Sequence, residues 1–248
     1  MTCVAGHQPN LCPYGGFFAK AASVDVFVIV DNTQYVKKEY HNRNRIRMSD
    51  GSVQWLSIPV RNSGRYKQAI NAVEIDNSKN WRHVHERTLF LNYKKARHFD
   101  FFYPRMEEML KRDWVMLADF NISFIRMCFD LLEIRTPLRI ASSEGISGVS
   151  TRLILDICRK TGSESYLHGK HSLDYVDFDL LRSEGIKNYI QDFSASPYEQ
   201  PAGEFVPNLS IIDILFNCGP LSRELIMKGN SVEEFPSASP LDRQGETP

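Results

Sequence analysis

Paired cysteines are missing from this 248-residue chain: Cys3, Cys12, Cys128, Cys158 and Cys218 are odd in number and never fall at CxxC spacing. That pattern argues against a disulfide framework and a zinc knuckle, and it suits a reducing compartment. Also missing is a basic segment followed by a long apolar run. Val26 to Val30, the most apolar short stretch, has the length of a strand and cannot cross a bilayer. A cytoplasmic protein without an integral membrane segment is the expectation, and peripheral contact with a membrane assembly stays open. An excess of one charge is absent as well, since 30 Lys and Arg balance 30 Asp and Glu. No global field then holds the chain to nucleic acid, and no standard nucleic-acid recognition motif is present, so any anion affinity has to be local. GxSxG, Walker, GxGxxG and HExxH patterns do not occur, which removes several familiar enzyme classes from first place.

What is present has ordinary globular proportions, with 42% hydrophobic and 24% charged residues. The length fits one large domain or two small ones. No repeat or low-complexity linker marks a boundary, so residues 1–230 read as a single α/β domain. The Pro-, Ser- and acid-rich stretch 231–248 reads as a loose tail with too little apolar surface to offset its ordering entropy.

Along the chain, residues 2–5 and 24–30 have strand character, with turn-forming residues 7–16 and a short helix over 17–22 between them. This is a Rossmann-like opening. If its two strands are parallel, His7 and Asp31 flank one crevice at the carboxyl edge of a sheet. Residues 53–60 form another strand after a turn at 49–52, and 70–76 a short one. Helical periodicity dominates from residue 80 to 132, in segments that include 101–110 and 117–132. Strand and helix then alternate, with strands over 135–142, 165–167 and 186–189, a helix over 152–160 stopped at Gly162, and a late core helix over 210–218. Such alternation favours a parallel or mixed central sheet flanked by helices.

Several residues are candidates for chemistry. His7 lies just beyond a strand and is suited to proton transfer or phosphate binding, with Gln8 beside it as hydrogen-bonding partner; alternatively His7 only ties the turn to the core. The basic run from Lys37 through Arg47 contains Lys38, Asn42, Arg43, Asn44 and Arg45, which suit phosphate and sugar hydroxyls, or else form a solvated hairpin. Asp31 is a candidate to hold a ribose hydroxyl, a hard cation or a basic side chain, with turn capping as the other reading. Lys20 sits on the short helix, and Trp81 is either a stacking platform or a core aromatic. His168 and His171, three apart with Gly169 and Lys170 between, lack a nearby third ligand and fit anion binding or solvation better than a metal. Tyr198, Gln200, Asn208 and Asp213 form a late polar set in which an inward-facing Asp213 needs a partner or ligand.

Taken together, Gly6-His7-Gln8-Pro9-Asn10, the following Pro-Tyr-Gly-Gly-Phe-Phe-Ala-Lys, Asp-Val-Phe-Val-Ile-Val-Asp and Asn42-Arg43-Asn44 resemble the N-terminal pattern of WbqC-like proteins. Tyr166-Leu167-His168-Gly169, Tyr198-Glu199-Gln200 and residues 205–217 are similar to the family's C-terminal blocks, so the resemblance spans about residues 3–220. Cys12, Tyr14 and His168 depart from its usual residues. The resemblance implies bacterial O-antigen or other surface-polysaccharide synthesis. Group transfer to a nucleotide-linked amino sugar is the activity expected on that basis, with Arg43 and Arg45 on phosphate, Asn42 and Asn44 orienting the ligand, His7 as acid or base, and Asp31 positioning it. Phosphoryl or nucleotidyl transfer of HUP type, without its HxGH signature, is one alternative. A noncatalytic sugar-nucleotide-binding or assembly protein is the other. A small anionic substrate is the expected partner, a homodimer is open, and no cofactor is specified.

Overall fold

Burial on both faces of the sheet explains why the second strand reads as an unbroken apolar run. In the computed structural model, which describes residues 2–235, β1 (Cys3–His7) leads through α1 (Gly15–Ala22) to β2 (Val26–Ile29), and β1 and β2 pair in parallel. Phe27 and Ile29 join the larger apolar cluster on one face of the sheet, while Val26, Val28 and Val30 join a second cluster on the other. Neither face meets water, so alternation of polar and apolar residues has no use there.

An antiparallel hairpin follows, β3 (Arg43–Arg47) and β4 (Val53–Ser57), turning at 49–52 as expected. Then come α2 (Trp81–Tyr93), α3 (Phe99–Lys111) and α4 (Leu117–Leu131), which supply much of the larger cluster. The strand expected over 70–76 does not form. Ile70–Ala72 make a 3-10 turn, and Glu74 and Ile75 each form one isolated bridge, to Met116 and Val60, so the segment is used for single contacts between neighbours that are not strands.

The chain returns to the sheet with β5 (Leu138–Ile140), α5 (Thr151–Thr161), β6 (Ser165–Gly169), α6 (Phe178–Ser183), β7 (Lys187–Phe193), α7 (Ile211–Cys218), α8 (Ser222–Lys228) and β8 (Asn230–Glu234). β5 is shorter than the 135–142 expected. Pro137 lacks an amide hydrogen for the ladder, and the amide of Ser142 is taken by the Asp31 carboxylate. Gly162 ends α5 in the left-handed conformation at φ 66°, as its position implied. Of the stretch expected to be loose from Ser231, residues 231–234 instead pair with β7 as the antiparallel edge strand, and 236–248 lie outside the described residues. The short α6 and α8 were not expected.

The six-stranded sheet runs β5-β2-β1-β6-β7-β8, parallel except for β8. In order of appearance along the chain this is 3-2-1-4-5-6, so the winding reverses between β1 and β6. α5 and α6 cover one face of the sheet, and α1, α4 and α7 contribute to the cluster on the other. The mixed α/β architecture is therefore as expected, and the reversal opens a crevice at the carboxyl ends of β1 and β6.

Helix α2 buries a proton-sensitive group in the core. His85 is 2% exposed; its Nδ1 donates to the Trp81 carbonyl at 2.8 Å, and its Nε2 has no partner among the described residues. Burial pushes its pKa down to about 4, against the smaller opposing effect of the Trp81 carbonyl. Because the folded state holds His85 neutral, its contribution is intact above pH 6.5 and is lost as the pH falls from 6.5 towards 4. His85→Phe should flatten the acid decline of stability in that window by up to about 3 kcal/mol, read from urea unfolding at pH 7 and pH 4.5. An unchanged pH slope would show that the imidazole takes up its proton without cost.

Candidate functional site

The crevice between the ends of β1 and β6 contains a cavity of about 500 Å³. His7 closes β1 at its edge. Its Nδ1 donates to the Gln8 carbonyl at 2.9 Å; a carbonyl only accepts, so Nδ1 carries the proton and Nε2 keeps its lone pair. Nε2 has no partner among the described residues and is not sealed from solvent. Burial, together with the nearby Lys20 charge, pushes His7 down to about 4, so at neutral pH it is a neutral imidazole.

Lys20 comes from α1 and is 7% exposed. Its ammonium lines the cavity without an ion pair or hydrogen bond among the described residues, and burial pushes its pKa down to about 8. Gly169 makes room for it, since a Cβ at that position would lie 3.3 Å from Lys20 Nζ. His168, on β6, is 1% exposed; Asn188 turns its Nδ2 to the Ile186 carbonyl, so its Oδ1 accepts from His168 Nε2 at 2.9 Å. Burial holds His168 at about 4, with the Lys20 charge adding to the shift. Lys170 stands at the rim with its charge already met by Asp192 at 2.7 Å. Among the described residues, no Asp or Glu lines the cavity. Its unbalanced charge is therefore the Lys20 ammonium, next to a free imidazole nitrogen.

The loop carrying His7 is held from behind. Gln8 Nε2 donates to Thr33 Oγ1 at 2.9 Å and its Oε1 accepts from His41 Nε2 at 3.0 Å, while His41 Nδ1 accepts from the Val36 amide. Asn121 Nδ2 donates to the carbonyls of Pro9 and His41 at 2.7 and 2.8 Å. These bonds fix the orientation of the Gln8 amide at the cavity wall.

Of the residues expected at the site, His7, Gln8, Lys20, His168, Lys170 and Asn208 share this cavity. The others lie elsewhere. Asp31, expected to position His7, does not line it: its carboxylate accepts from the Ser142 amide at 3.0 Å, from Ser142 Oγ at 2.6 Å and from Asn71 Nδ2 at 3.2 Å. Asn42 accepts from the Tyr35 hydroxyl and donates to the Ile58 carbonyl, and Asn44 donates to the carbonyls of Leu11 and Cys12, so both amides are engaged within the protein and neither lines the cavity. Arg43 donates to the Lys38 carbonyl and Arg45 to that of Asn208, on a ribbon beside the cavity. Trp81 is a core residue, 3% exposed, with Nε1 bonded to Asn77. Asp213 is fully buried and accepts from Tyr93 at 2.9 Å, Tyr198 at 2.7 Å and Gln200 at 3.1 Å, in a cluster separate from the cavity. Burial raises its pKa, against the lowering by those hydrogen bonds.

Tyr166 and Gln191 are among the lining residues that sequence reasoning does not single out as site candidates. The Tyr166 hydroxyl accepts from the Gly6 amide at 3.0 Å, and Gln191 donates to the Gly16 carbonyl at 2.9 Å. Tyr166 and His168 lie two apart on β6 with ring centroids at 4.6 Å, so strand alternation is a signal that could have grouped them.

Fold and site together define a mostly parallel α/β protein with helices on both faces of its sheet and a cationic pocket where the strand order reverses. Within that class, the chain belongs to the WbqC-like protein family, which matches residues 8–224. An uncharacterized protein of Mycobacterium tuberculosis is 33% identical over 224 residues, covering 88% of this chain and 95% of that relative. Among the described residues, no helix is long and apolar enough to cross a membrane, and no group of three or more His, Cys, Asp or Glu is placed to hold a metal ion.

The Asp31 geometry makes a direct prediction. Asp31→Ala leaves Ser142 and Asn71 without their acceptor and should lower stability by about 2–4 kcal/mol in chemical denaturation while leaving anion affinity in the cavity unchanged. Unaltered stability with lost affinity would instead return Asp31 to the site.

Proposed function

We propose that this protein is an enzyme of bacterial surface-polysaccharide synthesis that carries out group transfer on a small anionic substrate, such as a nucleotide-linked amino sugar, in the pocket between β1 and β6. The pathway follows from the family resemblance, and the chemistry from one observation: a buried ammonium without a counter-ion stands in the same pocket as a neutral histidine whose Nε2 is free. Lys20 holds an anionic oxygen of the substrate. Its charge is one of the causes that keep His7 weakly basic, so a bound anion, by offsetting that charge, raises the basicity of His7 when substrate is present. His7 Nε2 then takes the proton from the attacking hydroxyl or amine as the new bond forms to the transferred group and the bond from that group to its donor breaks, the electron pair departing with the donor's leaving group.

Lys20→Met should weaken binding of UDP-N-acetylglucosamine or inorganic pyrophosphate by about 10- to 100-fold in titration calorimetry, the scale of a hydrogen bond to a charged group. Lys20 is charged below its pKa, so wild-type affinity should be level up to about pH 8 and fall above it. Affinity that ignores both the substitution and the pH would sink the assignment of Lys20. With a panel of acyl donors, His7→Ala should retain binding and lose turnover; binding by the wild type without turnover for any donor supports the noncatalytic binding protein.

A second reading is favoured by the strand order 3-2-1-4-5-6 combined with a histidine at the end of the first strand. It is nucleotidyl transfer of HUP type, and its mark would be pyrophosphate release from a nucleoside triphosphate with Mg²⁺.

A further inference from the structure

Strand alternation divides the β3–β4 ribbon into two unlike faces. Arg43, Arg45 and Arg47 lie on one side of β3, opposite Ser57, Trp55 and Val53 of β4, while Asn44, Ile46 and Leu56 turn to the buried side; of the three arginines, Arg47 at the strand's end is itself buried. On the outer side Trp55 is 45% exposed; Tyr40 lies beside it at 5.8 Å between ring centroids, and the Arg43 guanidinium carbon is 4.1 Å from the centre of the indole. A guanidinium at that distance orders the ring and leaves an indole surface in water, an arrangement that suits stacking by a planar group.

The charge on this ribbon is also unspent. Arg61, Arg65, Lys111, Arg112 and Arg139 all have carboxylate partners. Lys37, Lys38, Arg43 and Arg45 have none among the described residues, and Glu39 is the sole acid in the run 37–47, whereas Arg47 is buried and its charge acts on the Asp213 carboxylate. Nε of Arg43 and of Arg45 is buried without a hydrogen-bond acceptor. Such a surface complements an anion that also carries a flat ring.

The ribbon is tied to the pocket rim. The Ser210 amide donates to the Arg45 carbonyl at 2.9 Å, Arg45 Nη2 donates to the Asn208 carbonyl at 3.4 Å, and Asn208 lines the cavity. Arg45, the cross-strand partner of Trp55, thus reaches a residue of the pocket rim.

We infer that the outer face of the β3–β4 ribbon is a second subsite, holding the nucleoside diphosphate portion of the substrate whose reacting end enters the pocket. The base stacks on Trp55, Arg43 and Arg45 hold the phosphate nearer the base, Lys20 receives an anionic oxygen of the phosphate nearer the sugar, and the sugar passes Asn208 towards His7. This rests on the proposed reading of the pocket and deepens it by naming where the nucleotide binds.

The test uses the full chain, with a nucleoside diphosphate and inorganic pyrophosphate as probes with and without a base. UDP, GDP, CDP, ADP and dTDP are titrated first, and the tightest is carried forward. Trp55→Ala should weaken the diphosphate by about tenfold and leave pyrophosphate unchanged, while Trp55→Phe, which keeps a stacking ring, should restore most of the affinity. Arg43→Gln and Arg45→Gln should weaken both probes. Equal loss of both probes in Trp55→Ala, or no loss of either, overturns the subsite, as does binding of none of the diphosphates. Tighter binding of polyuridylate than of any mononucleotide also overturns it, because it would mark a single-strand nucleic-acid surface. The two readings fail separately: loss in Trp55→Ala with none in Lys20→Met removes the pocket assignment and keeps the ribbon, and the reverse pattern does the opposite.

Discussion

An ammonium buried without a counter-ion is an electrostatic cost that the folded chain carries continuously. The downward shift of Lys20 corresponds to a bias of roughly 3 kcal/mol against its charged form, yet at neutral pH the charge persists. It persists because its neighbours do not add to it. His7 and His168 are both neutral at pH 7, and Lys170 at the rim is compensated by Asp192. Among the described residues the pocket therefore carries one uncompensated buried positive charge, where an anion gains more than it would on a fully solvated lysine. A carboxylate in the wall would remove the cost and the affinity together.

The scaffold makes that placement possible through topology. With both sheet faces covered, polar groups of this kind find room at the strand ends, and the reversal of strand order parts the connections there. His7 and His168 end adjacent parallel strands, and α1, packed on one face, brings Lys20 to the same edge. Gly169 keeps the approach open. The Gln8, His41 and Thr33 chain and the Asn121 clamp then hold the first loop so that the imidazole does not depend on the ligand for its orientation.

Local patterns made much of this legible in the sequence. The strand-helix-strand opening, the 43–57 hairpin, the Gly162 cap and the late helix all follow from residue order over short distances, and so does the grouping of His7 with the end of β1. The roles of Asn42, Asn44, Asp31 and Asp213 did not follow. Each carries side-chain chemistry that serves a ligand or a backbone equally well, and the deciding partner often lies far away, as with Asp31 and Ser142 or Asp213 and Tyr93. The arginine run was noticed, but its Trp55 platform was not, because the pairing of Arg45 with Trp55 across the hairpin depends on register that charge patterning does not reveal.

The Asp213 cluster shows why polar residues outside the pocket still bear on it. Tyr93 donates its hydroxyl proton to Asp213 and accepts from the Arg47 amide at 3.2 Å, so a carboxylate on α7, a tyrosine on α2 and the backbone of β3 form one connected unit. Gln200 extends it to the loop that reaches Val206, and Ser210, which caps α7, binds the Cys12 carbonyl in the first loop. The ribbon and the pocket rim are therefore fastened to the same helix. Replacing Asp213 would leave buried donors without an acceptor and loosen both surfaces together, so a loss of binding at that position reports support and not contact. The same logic separates Asp213 from Lys20: the carboxylate has its hydrogen-bonding partners within the protein, whereas the ammonium has none, and that contrast distinguishes a brace from a binding group.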